Sequence, residues 1–196
     1  MDKSVLWVEA FGWIKLILFA LIVAWVLTNF VIVNASVPTG SMENTIRIND
    51  RIIAFRLSYT FSDPGRFDII VFRGPDGESP LYVKRIIGIP GDTVTIVDGH
   101  VFINGEDEPL RYDFVQGEFF GNFPIPRNPL PDHITIPADG SPPYLTVPEG
   151  SFFVLGDNRG NSIDSRNWEV PFVTTEQILG QVIFRYFPGF QNLTRP

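Results

Sequence analysis

Ser41 closes the segment Pro38-Thr-Gly-Ser, in which Pro and Gly flank two hydroxyl residues. That composition favours a tight turn, which presents a side-chain oxygen while leaving backbone N–H groups free to face a developing oxyanion. A serine nucleophile needs a base within reach, most often His. The chain has two, His100 and His133. His100 directly follows a hairpin signal and His133 lies in the Pro-rich PDHITIP, so both are expected at the surface. Cys is absent, which excludes thiol nucleophiles, thiolate metal sites and disulfides.

Lysine is the other base available. The chain has three, Lys3, Lys15 and Lys84, and beyond the N-terminal apolar segment Lys84 stands alone against 12 Arg. The Lys pKa can be brought towards neutrality, whereas a guanidinium stays charged. A codon bias would explain the preponderance of Arg but not this exception. In the strand-like LYVKRII, side chains alternate between faces, so Tyr82, Lys84 and Ile86 share one face and Val83, Arg85 and Ile87 the other. Between aromatic and aliphatic neighbours an ammonium loses hydration, its pKa falls, and the amine becomes a usable general base. The plainer reading is a sheet-edge lysine with its head in water. A Ser–Lys pair fits this inventory better than Ser–His.

A third polar cluster, GDNRGNSIDSRNW at 156–168, directly follows the apolar run SFFVL. A calcium loop would want several acidic oxygens at alternating positions, and only Asp157 and Asp164 are available. Asp164 and Arg166 are expected to pair with one another, stiffening a loop that delivers hydroxyls such as Ser162 to the site.

These residues need elements to position them. Residues 11–33 read FGWIKLILFALIVAWVLTNFVIV, with Lys15 the only charge. A bilayer-spanning helix needs about 20 apolar residues, so a transmembrane anchor is expected over 11–33, behind a short tail at 1–10. A cleaved signal peptide would carry a shorter apolar region, about 7–15 residues, ending at a small-x-small site; Val33-Asn-Ala-Ser is a poor candidate. Flanking charge gives no orientation, because Asp2 and Glu9 accompany Lys3 and Lys15, and Arg47 and Arg51 follow soon after. Ser41 lies eight positions beyond Val33, hence within ~26–29 Å of that end at ~3.3–3.6 Å per residue. A nucleophile there would meet substrates at the membrane surface.

The remainder, 34–196, reads as β-rich. Runs at 68–73, 81–87, 93–97, 100–103, 151–155 and 181–186 have strand composition, and Asp98-Gly99 between two of them signals a hairpin. TTEQILG at 174–180 reads as one helical turn with a capping Thr and a closing Gly. Over 106–148 Pro and Phe abound and periodicity fades, so an excursion from the main body is expected there. The expected fold is mainly β, with a small subdomain or loop inserted, preceded by one transmembrane helix. A net charge of −7 and a pI near 4.8 exclude nucleic acid as the natural partner.

Together the segments resemble bacterial type I signal peptidases (leader peptidases). VPTGSMENTI is similar to the family's nucleophile box, GRFDIIVF to the strand that follows, YVKRIIGIPGDTV to its lysine box and GDNRGNSIDSRNW to its terminal box, in the family's order behind an anchor. The resemblance implies that Ser41 is the nucleophile and Lys84 its general base. It gives the Ser41 N–H and the Thr39 hydroxyl to an oxyanion hole, has Ser162 orient the Lys84 amine, and has Asp164 and Arg166 brace that loop. Met42 and Arg85 match as site-wall and structural residues. It further implies a largely antiparallel β-sheet catalytic domain with a small β-subdomain inserted over about 106–148, no cofactor and no metal, a monomer in the lipid bilayer, and membrane-tethered preproteins cut after a small-x-small motif. The orientation follows from it too: N-terminus inside, catalytic domain on the outer (trans) side of the cell membrane.

The chain departs from the family pattern at Thr39 (commonly Ser), Asn44 (Pro), Phe67 (small or polar), Gly160 (Asp) and Glu169 (Gly). None removes a group with a direct chemical role, so they bear on substrate preference and loop geometry. Two rivals stand beside this reading: an anchored β-domain that binds partners through its aromatic stretch FVQGEFFGNFPIP, and another Ser–Lys hydrolase such as a self-cleaving repressor protease. The binding module gains if Ser41 and Lys84 prove exposed and more than about 6 Å apart, beyond hydrogen-bond reach. Aromatic residues near the site, Trp168 among them, are expected to dip into lipid.

Overall fold

The computed structural model describes residues 3–74, 80–110 and 134–194. Helix α1 (Lys3–Val26) runs on through a wider π turn, Leu27–Val31. Its apolar stretch Phe11–Val31 is long enough to cross a membrane, has a mean hydropathy of 2.3 and is not buried in the body. Besides Lys15, the polar residues of that stretch bond back onto the preceding turn, Thr28 Oγ1 to the Ala24 carbonyl and Asn29 Nδ2 to the Trp25 carbonyl, both at 2.8 Å. These donors find acceptors without water.

The chain passes from the π turn straight into strand β1 (Ile32–Ser36). The anchor expected over 11–33 therefore ends two residues early. Ile32 and Val33 are β-branched and suit either element; pairing with β2 (Arg51–Phe55) decides, and Val33 is buried in the body. The remaining strands are β3 (Ile69–Arg73), β4 (Leu81–Gly88), β5 (Thr93–Val97), β6 (His100–Ile103), β7 (Ile134–Thr135), β8 (Tyr144–Thr146), β9 (Ser151–Leu155), β10 (Val173–Thr174), β11 (Ile178–Phe187) and β12 (Gln191–Asn192). The larger sheet has the order β1-β2-β11-β3-β4-β9-β10, with β12 beside β11, and the smaller one β6-β5-β8-β7. The pairings are antiparallel, as the family resemblance implied. Central strands β3 and β9 are buried almost throughout, which is why they read as continuous apolar runs rather than alternating ones.

Asp98 and Gly99 both take positive φ (49° and 79°), the geometry of a two-residue hairpin turn. The smaller sheet begins at Thr93, ahead of the excursion expected from 106, and draws β7 and β8 from within that excursion. Those strands are two and three residues long, too short to show alternation. Residues 111–133, which include His133 and the aromatic stretch FVQGEFFGNFPIP, lie outside the described residues. At 174–180 the Thr174 cap is present in a capping box with Gln177, but the turn ends at Gln177 and Gly180 belongs to β11. A Cβ at Gly180 would strike the Phe55 backbone, so this glycine permits close strand approach rather than closing a helix.

Candidate active site

Ser41 sits in the 37–50 loop that joins β1 to β2. The neck of that loop is closed by Val37 N–H to Asp50 O (3.0 Å) and Asn49 N–H to Val37 O (2.8 Å). Met42 and Ile46, both without solvent exposure, anchor it in the core, and a bond from Ile46 N–H to Met42 O (2.8 Å) winds one turn after Ser41. The buried residues thus fix a turn whose neighbouring serine faces a groove.

Lys84 lies at mid-β4, opposite Ile70 of β3. It is 3% exposed, and its Nζ donates to Ser41 Oγ at 2.6 Å. Burial draws its pKa down from 10.5 to about 8, against the opposing pull of the carboxylates of Asp164 and Asp157. The Tyr82 ring, two residues along the same strand, lies 5.9 Å from Nζ. The reading of Lys84 as a lysine with its head in water therefore fails because the side chain is buried, although its strand gains β9 as a second neighbour only from Arg85 onward. Thr39 Oγ1 is 3.5 Å from Ser41 Oγ.

Strand β9 ends opposite Arg85, so the polar segment that follows emerges beside the lysine. Two buried ion pairs lock it. Arg166 binds Asp164 bidentately (2.8 and 2.9 Å), as the spacing led us to expect, and Asp164 also accepts from Gly156 N–H (3.0 Å). Arg85 binds Asp157 bidentately (2.9 and 2.6 Å), and Thr45 Oγ1 donates to the same carboxylate at 2.6 Å. Both acidic residues are thus committed to arginines, which removes the calcium-loop alternative. Ser162 lines the groove with Lys84, but its hydroxyl donates to Asp164 Oδ2 (2.7 Å), and among the described hydrogen bonds none joins it to the amine.

Sequence reasoning missed Asp157, Thr45 and Asn158. The partnership of Asp157 with Arg85 spans 72 positions, so no local spacing could reveal it. The available signal was the Gly-Asp-Asn that immediately follows a fully apolar strand, where buried polar groups must find partners. Asn158 N–H donates to Ser41 O, and its Nδ2 to Gly40 O, both at 3.0 Å. Of the two histidines, His100 is exposed on the hairpin, as expected. Trp168 does not reach outward: it stands edge-on to Phe72 and Tyr82, with ring centroids 6.0 Å away in each case. Its indole is half-buried against the face of β3 and β4.

The groove encloses about 480 Å³ between the end of β1 with the residues after it, the start of β4, and the rim 160–163. Thr39, Ser41, Lys84 and Ser162 all line it; Asp164 and Arg166 stand behind. β1 is an edge strand, and residues 81–84 of β4 pair with β3 alone among the described strands. Two strips of backbone with unused hydrogen-bonding capacity therefore flank the groove.

Fold and groove together define a β-built body with a buried Ser–Lys contact, carried on an N-terminal apolar helix. Sequence relationships assign it a class. The family described as Signal peptidase, peptidase S26 matches residues 10–187. A signal peptidase I of Leptolyngbya laminosa is 35% identical over 182 residues, covering 89% of this chain and 78% of that one. One from Bacillus amyloliquefaciens is 35% identical over 176 residues, covering 90% and 87%. A crystal structure of a signal peptidase I from Enterococcus faecalis V583 is 36% identical, covers 61% of this chain and 97% of its own, and superimposes with a TM-score of 0.44. The chain belongs to the signal peptidase S26 family.

Proposed function

We propose that the protein is a membrane-held serine endopeptidase that removes signal peptides from secretory preproteins, with Ser41 as nucleophile and Lys84 as general base. The observation that carries this reading is the 2.6 Å contact between a buried Lys84 amine and the Ser41 hydroxyl. With a pKa of about 8, roughly a tenth of the amine is neutral at pH 7, enough to sustain a general base. In the neutral form the contact reverses, and Ser41 O–H donates to the Nζ lone pair. As Oγ attacks the scissile carbonyl, its proton passes to Nζ. The resulting ammonium then protonates the leaving amine, and a water deprotonated by the regenerated amine releases the signal peptide from Ser41.

In this reading the Ser41 N–H and the Thr39 hydroxyl stabilise the oxyanion. Ser162, with its proton committed to Asp164, keeps lone pairs for the Lys84 ammonium, while Asp164 and Arg166 hold the loop. Substrate would lie extended along the groove, using the spare backbone of β1 and β4 as strand partners. The small volume and the enclosing Ala35, Val37 and Met42 favour small side chains beside the scissile bond, hence a small-x-small motif. The anchor holds residues 34–196, the excursion included, as one catalytic body on the outer side of the membrane, where it works as a monomer among lipids.

Cleavage of a preprotein in detergent by wild type, Ser41→Ala and Lys84→Arg tests the reading. Cleavage by wild type alone, after a small-x-small site, supports it. Turnover by Lys84→Arg would mean another base, and a folded wild type that cuts nothing would sink the proposal. The anchored binding module has no observation in its favour, since the pair is buried and in contact.

A further inference from the structure

The Gly40–Ser41 peptide has its carbonyl held twice and its N–H not at all. Gly40 O accepts from Glu43 N–H at 3.1 Å and from Asn158 Nδ2 at 3.0 Å. Among the described residues, the Ser41 N–H makes no hydrogen bond. These two groups belong to one planar unit, so fixing the direction of C=O fixes the opposite direction of N–H. The next peptide is pinned as well, with Asn158 N–H on Ser41 O at 3.0 Å. Gly156 lets the loop approach this closely, because a Cβ there would collide with Ser41 O and Ser162 Oγ. Glu43 Oε2 lies 3.3 Å from Asn158 Nδ2, which sets the amide with its nitrogen towards Gly40.

Building on the proposed function above, we propose that Asn158 is a positioning residue of the oxyanion hole: its side-chain amide grips the Gly40 carbonyl and so aims the Ser41 N–H at the oxygen of the reacting carbonyl. The hydrogen bond also draws electron density towards the Gly40 oxygen, which makes the N–H of the same peptide a stronger donor. Asn158 touches no substrate atom. Its contribution is felt where negative charge develops, not where substrate binds or where Lys84 takes a proton. Glu43 has the secondary part of holding the amide in the right sense.

The test compares wild type with Asn158→Ala and the isosteric Asn158→Asp, both of which keep the backbone N–H to Ser41 O. Steady-state cleavage of a preprotein peptide is measured across pH, together with inhibition by a peptide aldehyde. Ser41 Oγ adds to the aldehyde carbon, the C=O π bond opens, the serine proton passes to Lys84, and the former carbonyl oxygen becomes an oxyanion in the hole. We expect kcat to fall ~10- to 100-fold, less than or comparable to removal of a direct oxyanion donor. KM should stay within about twofold, the acid limb of the pH profile should not move, and aldehyde affinity should fall in step with kcat. If Asn158→Ala does not fold, Asn158→Asp decides alone. Wild-type kcat in the folded variants, a displaced pH limb, or unchanged aldehyde affinity overturns the placing of Asn158 while leaving the Ser41–Lys84 reading intact. A folded wild type that neither cleaves nor is inhibited overturns both.

Discussion

Lys84 carries opposite demands from the fold and from the chemistry. Its folded pKa of about 8 lies below the 10.5 of an exposed lysine, because burial disfavours the ammonium. Activity requires the neutral form, so kcat/KM should rise with pH, about tenfold per unit below an apparent pKa near 8, and level off above it; a limb near 6.5 would indicate a histidine base instead. For stability the sign is the reverse of a favourable interaction. The unfolded chain binds the extra proton between pH 8 and 10.5, so the penalty is fully present below pH 8, fades across that window, and is gone above 10.5. The shift corresponds to about 3 kcal/mol at neutral pH. Lys84→Met should therefore abolish cleavage yet raise Tm, and a lowered Tm would show the amine to be well solvated. Ser41, Lys84 and the Asp164–Arg166 pair were legible in the sequence, since each rests on residue type or short spacing. Asp157 and Asn158 were not, because their partners lie far away in sequence, in β4 and in the 37–50 loop.

Among the elements, the loops that carry the site owe their shape to backbone conformations that residue types only partly disclose. Asn44 and Phe67, two positions where the chain departs from its family pattern, both take positive φ (82° and 74°). Asn tolerates that region and Pro cannot enter it. Asn44→Pro should destabilise the protein and slow cleavage, whereas Asn44→Gly should be neutral or stabilising by up to about 1 kcal/mol; thermal melts of the two would separate these outcomes. Phe67 is the less comfortable case, held by its N–H on Ile86 O (2.8 Å) and by its carbonyl on Arg85 Nη1 (2.9 Å). Arg85, Asp157 and Thr45 form a buried clasp between β4, the segment after β9 and the Ser41 loop. Asp157→Ala removes the carboxylate that Arg85 grips bidentately and should cost about 3–5 kcal/mol by chemical denaturation; a loss under about 1 kcal/mol would mean that water reaches the pair. The long apolar strands were readable by composition. β7, β10 and β12, at two residues each, offer no period to read, and Gly180 hid the true start of β11.

For the whole molecule, the mainly β plan behind one apolar helix was evident from the order of runs, but the point where helix gives way to sheet was not. Ile32 and Val33 satisfy both elements locally, and only pairing with β2 assigns them. That boundary makes a prediction. Deleting the chain through Val31 should leave a folded body that still cleaves short peptides in solution and is slow on membrane-held preproteins. Deleting through Ser36 removes an edge strand and one wall of the groove, and should abolish both activities; equal behaviour of the two truncations would contradict the role given to β1.

Because the helix runs into β1 with no intervening linker, and β1 leads within five residues to Ser41, Ser41 has no slack relative to the helix. With that helix across the bilayer and Ser41 as the nucleophile, as proposed above, the protein works as a gauge with a fixed height. A substrate is presented for cleavage only if its own apolar segment brings the scissile bond to that level, so a bond with suitable side chains but set too near or too far from the lipid is passed over. Part of the selectivity thus resides in a length, which no pocket residue encodes and no pocket mutation would erase.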